Sequence, residues 1–425
     1  MTYEEAKFYI EKVSQTGSIL GLESIQNLMH ELSDVQEQLK IIHIAGTNGK
    51  GSTGAFVEAA LIEAGYRVGR YTSPAVFEAF EVWRVNRENI AMEDYLACLN
   101  AVKAACERML LKGMAQPTVF EVETALAFVY FSRKNCDYVL LEVGMGGETD
   151  ATNLITKPVC SVITSISMDH MQFLGNSLAE IARVKAGIIK NGCPVVTTDT
   201  QKAEVLQVIE QVATEKEAGL VVAKNASVSD VQRENGILSY QHEKLGKVEL
   251  SLTGEYQIEN SNLAITVCTE ILKLSSEEIR RGLKAASWPG RFEVIAEKPL
   301  VILDGAHNED AAKKLAATIQ NHFTNRKITY IIGVLADKEH KKMLEIMLPL
   351  AENIYTVTPP NKRALDGVAL ADEVRSLGKN AYYCAEIKEA AQLALASAEK
   401  DEIIVAFGSL SYLAAMKAAI MEALK

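Results

Sequence analysis

Short apolar runs recur along the chain and alternate with segments whose apolar positions fall three and four residues apart, the spacing of one helix face. Ile41–Ala45, Tyr138–Val143, Val159–Thr164 and Pro194–Thr197 are such runs. Continuous apolar strands between helices are the pattern of a parallel sheet covered on both faces. From Asp230 to Leu252 the pattern changes to short alternating stretches such as Lys247-Val248-Glu249-Leu250, bounded by glycines. That predicts a small antiparallel excursion, followed by a helix near Ile258–Leu272. After Trp288-Pro289-Gly290-Arg291 the series restarts with Leu300–Leu303, Ile328–Gly333, Asn353–Val357, Ala381–Cys384 and Ile403–Phe407, separated by helices that include Asp310–Gln320 and Leu370–Ser376. A fresh βαβ series of about 125 residues is a domain in its own right, and the junction falls near Ala296–Pro299. The expected architecture is α/β: a P-loop-containing N-terminal domain with a parallel sheet over residues 1–296, and a smaller Rossmann-like α/β C-terminal domain over 297–425.

At 425 residues the chain exceeds one ordinary core, in keeping with two or three domains. A net charge of -11 argues against a nucleic-acid surface, whose footprint is basic. No apolar stretch approaches the roughly 20 residues that span a bilayer, and the acidic start Met1-Thr2-Tyr3-Glu4-Glu5 lacks signal-peptide character. A cytoplasmic protein without membrane partners is expected. The 7 cysteines form no C-x-x-C pair, so they read as small buried hydrophobes of a reducing compartment rather than a zinc site or a disulfide frame.

The chemistry is concentrated where strands end. Ile41–Ala45 runs into Gly46-Thr47-Asn48-Gly49-Lys50-Gly51-Ser52, ahead of a helix expected to begin near Thr53. A glycine-rich turn opening onto a helix presents backbone N–H groups to a phosphate, and Lys50 adds a mobile positive charge. Ordinary strand-to-helix junctions also carry glycines, and the spacing departs from G-x-x-x-x-G-K-[ST] because Ile44 replaces the first glycine and Gly51 separates Lys50 from Ser52. Glu142, ending an apolar strand before Gly144-Met145-Gly146-Gly147, stands where P-loop proteins hold a nucleotide's magnesium; the alternative is a solvated strand end. His170 closes a third strand-end cluster, Ser165–His170, and is either a structural histidine or a metal ligand. Lys185, in Ile181–Lys190, reads by composition as a solvated lysine unless its helix folds back across the site. Arg291 at the junction, and Asp304 and His307 in Asp304–Asn308, complete the set.

These blocks, with Thr72-Ser73-Pro74, Phe120-Glu121, Glu142–Asn153, Lys185–Ile188, Pro289–Phe292, Gly333–Lys338 and Thr358–Asn361, resemble the folylpolyglutamate synthase family of the Mur ligase superfamily in its order over nearly the whole chain. The resemblance implies that Gly46, Thr47, Asn48, Gly49, Lys50, Gly51 and Ser52 cradle ATP phosphates. It implies that Asn260, Arg291 and Asp304 contact the nucleotide side, and that Ser73 and Glu142 hold one Mg2+ ion while His170 helps hold a second. It implies a carbamylated Lys185 as a carboxylate-like metal ligand. Asp150 and Ala151, with Phe120 and the loop from Ser73 to Arg84, would lie along the pterin-bearing substrate, and Asp304 and His307 would receive L-glutamate or the phosphate side. Ala75, Glu148, Val184 and Tyr256 stand where the family often has histidine, arginine, glutamate and histidine.

The activity implied is ATP-dependent addition of glutamate to the γ-carboxylate of tetrahydrofolate or a related folate, through an acyl phosphate, by a monomer. Lys50, His170, Lys185, Asp304 and His307 would be its catalytic residues. Alternatives are an enzyme that also makes dihydrofolate from dihydropteroate, another Mur-type amide ligase, or a nucleotide-dependent switch. The last is disfavoured by a second domain that carries both Asp304 and His307.

Overall fold

The computed structural model describes residues 1–17, 21–169, 171–234, 237–324, 326–337 and 340–425. His170 and Lys338 lie outside the described residues. Three sheets organise the chain. The first holds β1 (Ile41–Ala45), β2 (Val68–Tyr71), β3 (Trp83–Val85), β4 (Glu88–Asn89), β5 (Tyr138–Glu142), β6 (Cys160–Ile163), β7 (Val195–Thr198) and β8 (Leu220–Ala223), in the spatial order β4-β3-β2-β5-β1-β6-β7-β8. β2, β5, β1, β6, β7 and β8 pair in parallel, and β3 and β4 extend the β2 edge by two antiparallel pairings. The apolar run Ile41–Ala45 is therefore central and buried along its whole length. The expected antiparallel excursion is a three-stranded sheet of β9 (Val228–Glu234), β10 (Ile237–His242) and β11 (Gly246–Leu250).

The third sheet contains β12 (Glu293–Glu297), β13 (Leu300–Leu303), β14 (Ile328–Ile332), β15 (Asn353–Thr356), β16 (Tyr382–Tyr383) and β17 (Ile403–Phe407), ordered β12-β13-β17-β14-β15-β16. Only β12 runs antiparallel to its neighbour, and it straddles the expected division at residue 296. This gives the α/β architecture of a large parallel-rich sheet followed by a smaller one.

Register decides what these sheets position. Ile44 pairs with Glu142 and Ala45 with Ile163, so the turns after β1, β5 and β6 leave one edge side by side. Leu303 pairs with Ala406, and Ile332 with Phe407, which aligns a second set of turns in the third sheet. Ligands of open α/β sheets bind outside such carboxyl ends, and here the two sets face one cleft of about 480 Å³. The helix Lys50–Glu63 behind the first turn is apolar nearly all round and buried. It meets the helix Ser276–Ala285 at Gly282, where a Cβ would stand 2.5 Å from the Ala60 backbone. That contact fixes the helix whose N-terminus forms one wall of the cleft. Among the described residues, no helix is long and apolar enough to cross a membrane.

Candidate active site

The turn after β1 is shaped by close approach. A Cβ on Gly46 would lie 1.8 Å from the Thr164 hydroxyl, and one on Gly49 2.4 Å from Asn260 Oδ1. Gly49 also has φ +90°, a left-handed conformation that favours glycine. This conformation starts the helix at Lys50, three positions before the expected Thr53, and no side chain caps it. Its first-turn N–H groups therefore face the cleft at the positive end of the helix dipole. Thr47 is tied to the β6 turn by its N–H to the Ser165 carbonyl at 2.8 Å and its hydroxyl to the Ser167 carbonyl at 3.1 Å. Ser52 is buried and accepts from Gln257 Nε2 at 3.2 Å, while Asn260 Nδ2 donates to Gln257 Oε1 at 3.0 Å.

Three charged side chains meet this turn. Lys50 Nζ donates to the Gly46 carbonyl at 3.3 Å and stands 3.9 Å from Glu142 Oε1. Burial pushes the Glu142 carboxyl up, against the charges of Lys50, Arg70, Arg291 and Arg84, so the site favours added positive charge beside it. The helix Leu178–Ala186, capped by Ser177 with Glu180, folds back across the site and buries Lys185, whose Nζ donates to the Gly46 carbonyl at 2.9 Å. Lys185 is thus not a solvated helix residue.

The opposite wall comes from the third sheet. Asp304 follows β13 and accepts from the Tyr256 hydroxyl at 2.6 Å, Phe292 N–H at 2.8 Å and Ala306 N–H at 2.8 Å. Burial raises its pKa, opposed by the Tyr256 hydrogen bond and the Arg291 charge. Burial, then the Asp304 charge, pushes the Tyr256 phenol well above its usual value. His307 Nδ1 donates to the Gly305 carbonyl at 2.8 Å, and its Nε2 lies 4.0 Å from Asp169 Oδ2.

Polar contacts from Asn308, Asp310 and Lys314 close the seam between the walls. Asn308 Nδ2 donates to Asn48 Oδ1 at 3.2 Å, and Asn48 Nδ2 donates to Asp310 Oδ2 at 2.9 Å. Lys314 reaches Glu259 at 3.2 Å and Ser165 at 3.3 Å. Burial alone would lower the Lys314 pKa, but Glu259 and Asp310 raise it.

The cleft wall brings together Gly46–Ser52, Ser73, Glu142, Lys185, Asn260, Arg291, Asp304 and His307. Phe120, Asp150 and Ala151 stand behind it. The Phe120 ring packs where a Cβ on Gly144 would fall 2.5 Å away. Asp150 accepts from Met145 N–H at 2.9 Å and from the Thr152 hydroxyl at 2.6 Å, and Ala151 is buried. Tyr256, Asn308 and Lys314 belong to the site through contacts between distant segments, a signal absent from any local motif. Among the described residues, no three His, Cys, Asp or Glu side chains converge as a metal cage. Magnesium usually binds through one or two carboxylates together with phosphate oxygens and waters. The nearly buried Glu142 carboxylate and the Ser73 hydroxyl, both in the cleft wall beside the turn after β1, fit that donor set.

The Mur ligase middle domain matches residues 44–268, and the Mur ligase, glutamate ligase domain matches residues 290–410. The chain is 37% identical over 91% of its length to a dihydrofolate synthase/folylpolyglutamate synthase of Bacillus subtilis, covering 89% of that protein. It is 33% identical over 99% of its length to a folylpolyglutamate synthase of Lacticaseibacillus casei, covering 99% of it. A Mycobacterium tuberculosis folylpolyglutamate synthase complexed with ADP superposes with a TM-score of 0.89 at 28% identity, over 98% of each chain.

Proposed function

The chain belongs to the folylpolyglutamate synthase family of the Mur ligase superfamily, and we propose that its cleft joins ATP, a tetrahydrofolate acceptor and L-glutamate between the two strand-end walls. The activity is ATP-dependent ligation of glutamate to a folate carboxylate. The carrying observation is the meeting of an uncapped helix N-terminus bearing Lys50 with the Asp304–His307 wall across one cleft.

In the first step the folate γ-carboxylate attacks the γ-phosphorus of ATP, forming an acyl phosphate and releasing ADP. Within the Gly46–Ser52 turn the N–H groups at the start of the helix, from Gly49 to Ser52, hold the phosphates, while those of Thr47 and Asn48 tie the turn to the Ser165 carbonyl. Lys50 neutralises charge on the transferring group. Asn260 and Arg291 orient the nucleotide, and Asp304 fixes Tyr256 beside it. Ser73 and Glu142 would hold one Mg2+, and His170 with Lys185 a second. Bound there, such ions would neutralise phosphate charge. Lys185 would serve as a carbamate, formed when its neutral amine attacks carbon dioxide and loses a proton; its burial against the Gly46 carbonyl supports this position. In the second step the glutamate amine, placed by Asp304 and His307, attacks the acyl carbon and expels phosphate. Positioning and exclusion of water carry both steps, because an exposed acyl phosphate would hydrolyse.

The name of the Bacillus subtilis relative covers dihydrofolate synthesis as well, which favours dihydropteroate as a second acceptor. ATP-dependent glutamate incorporation, measured in parallel with tetrahydrofolate and dihydropteroate, tests both readings; incorporation into neither removes both. For Lys185, the expected result is a nearly inactive Lys185→Ala that regains part of its activity with a short carboxylic acid in the medium. No rescue, together with an unmodified residue mass in the parent, removes the carbamate. The seven free cysteines support a reducing, cytoplasmic setting. We take the working form as a monomer, which light scattering checks.

A further inference from the structure

Behind Ser73 and Glu142 the cleft continues into a side chamber of about 50 Å³, walled also by Arg84, Trp288 and Glu81. Its charges do not balance. Arg70 and Arg84 both lie over the Trp288 ring, with guanidinium carbons 4.0 Å and 4.9 Å from its centre. Arg70 is satisfied: it forms an ion pair with Glu58 at 2.8 Å and donates to the Gly51 carbonyl. Glu81 is engaged with the backbone N–H groups of Val76, at 2.5 Å, and Phe77, at 3.1 Å. Glu142 faces Lys50. Arg291, which also lines the chamber, donates to the Gly290 carbonyl at 3.1 Å. Arg84 remains, and its buried Nε has no hydrogen-bond partner among the described residues. A mostly buried guanidinium left unpaired beside a small polar chamber is a receptor for an anion with two oxygens.

We propose that Arg84 binds the α-carboxylate of the acceptor's terminal glutamate and is a specificity-determining residue for acceptors that end in glutamate. This rests on the reading that the reacting γ-carboxylate lies at the Ser73–Glu142 end of the cleft. The α-carboxylate belongs to the same residue, two methylenes and the α-carbon away, and the adjoining chamber is too small for a pteridine ring. The stacked Trp288 holds the guanidinium plane in place, so its fork is oriented before the acceptor arrives. An acceptor without an α-carboxylate, such as dihydropteroate, gains nothing from this contact.

The test compares tetrahydropteroyl monoglutamate with its α-carboxamide as acceptors, in the parent enzyme and in Arg84→Gln. A charge-assisted pair of this kind corresponds to a roughly ten- to hundredfold difference. The parent is expected to favour the free acid by that factor in kcat/KM. Arg84→Gln is expected to raise KM for the free acid toward that of the amide, with KM for ATP shifted less than twofold, and Arg84→Lys to restore part of the preference. Equal kcat/KM for both acceptors in the parent overturns the proposal without any variant. An Arg84→Gln enzyme that loses the same factor on both acceptors overturns it as well, leaving Arg84 a packing partner of Trp288. A parent that adds glutamate to neither acceptor removes the ligase reading itself, a separate outcome.

Discussion

Two strand–turn–helix units face each other across the cleft and solve the same local problem in opposite ways. In residues 41–63 the turn is glycine-rich, the helix Lys50–Glu63 has no side-chain cap, and the first-turn donors stay available. In residues 300–322 the turn closes on itself. Asn308 caps the helix Glu309–His322 by accepting from Ala311 N–H at 2.9 Å, and Asp304 takes three donors. A turn that leaves its backbone unsatisfied is built for an anion; one that satisfies it holds side chains in fixed places. On the proposed function the first unit would bind through its main chain and the second through a rigid set of side chains. Substitutions in the two should therefore fail differently.

The largest effect is expected at Lys50. Among the described residues its amine meets the Gly46 carbonyl and faces the Glu142 carboxylate, outside any hydrophobic core. Lys50→Ala should lower kcat/KM by about 10²- to 10³-fold, the usual cost of removing one donor to developing charge, with an unchanged unfolding midpoint. Comparable loss of stability would place Lys50 with the structural residues and erase the contrast.

Asp304→Asn should fail the other way. Asn offers a weaker acceptor to Tyr256, Phe292 and Ala306, and losing hydrogen bonds to a charged group costs about 1.5–3 kcal/mol. Denaturant unfolding should show that loss together with reduced activity. Smaller again is Asn308→Ala, which removes the helix cap, about 1 kcal/mol, and the contact to Asn48. Its distinctive readout is a raised KM for ATP, because Asn48 belongs to the phosphate turn; a loss of stability alone would mean that the seam carries no binding role.

The apolar runs exposed most of the strands that build both walls, because buried parallel strands leave a continuous hydrophobic signature. β2 escaped that reading: it is short and contains Arg70, whose charge is admissible in the interior only through Glu58, a partner twelve positions away. The helix expected near Ile258–Leu272 starts at Tyr256 and ends in a π-helical turn over Val267–Ile271, a change of hydrogen bonding that periodicity does not encode. The turns after β1, β5 and β13 were legible because glycine and one charged residue at a strand end are local signals. Tyr256 against Asp304, and Asn48 against Asn308, were not, since the latter pair is 260 positions apart and only the docking of the two sheets joins them. Nor was the setting of Asp150, whose oxygens accept from Met145 N–H and the Thr152 hydroxyl.

The smallest expected effect sharpens the comparison by its sign. Glu142 and Asp304 are both carboxylates raised by burial, but Asp304 is held by three donors whereas Glu142 has chiefly the Lys50 charge at 3.9 Å. A carboxyl whose folded pKa lies above its ordinary value of 4.5 contributes its stability fully below that value. The contribution is lost as pH rises through the folded pKa, because the folded state then carries a charge it solvates poorly. Glu142→Gln does not titrate and escapes this loss. In nucleotide-free protein without magnesium, the variant should therefore gain stability relative to the parent as pH rises from 4.5 toward 8, even though it loses magnesium-dependent activity. Unfolding midpoints of both proteins across that range decide the matter. A stability difference that stays flat with pH, or that turns against the variant at high pH, would mean that Glu142 is solvated or donor-bound like Asp304. The phosphate turn would then hold no strained carboxylate awaiting a cation.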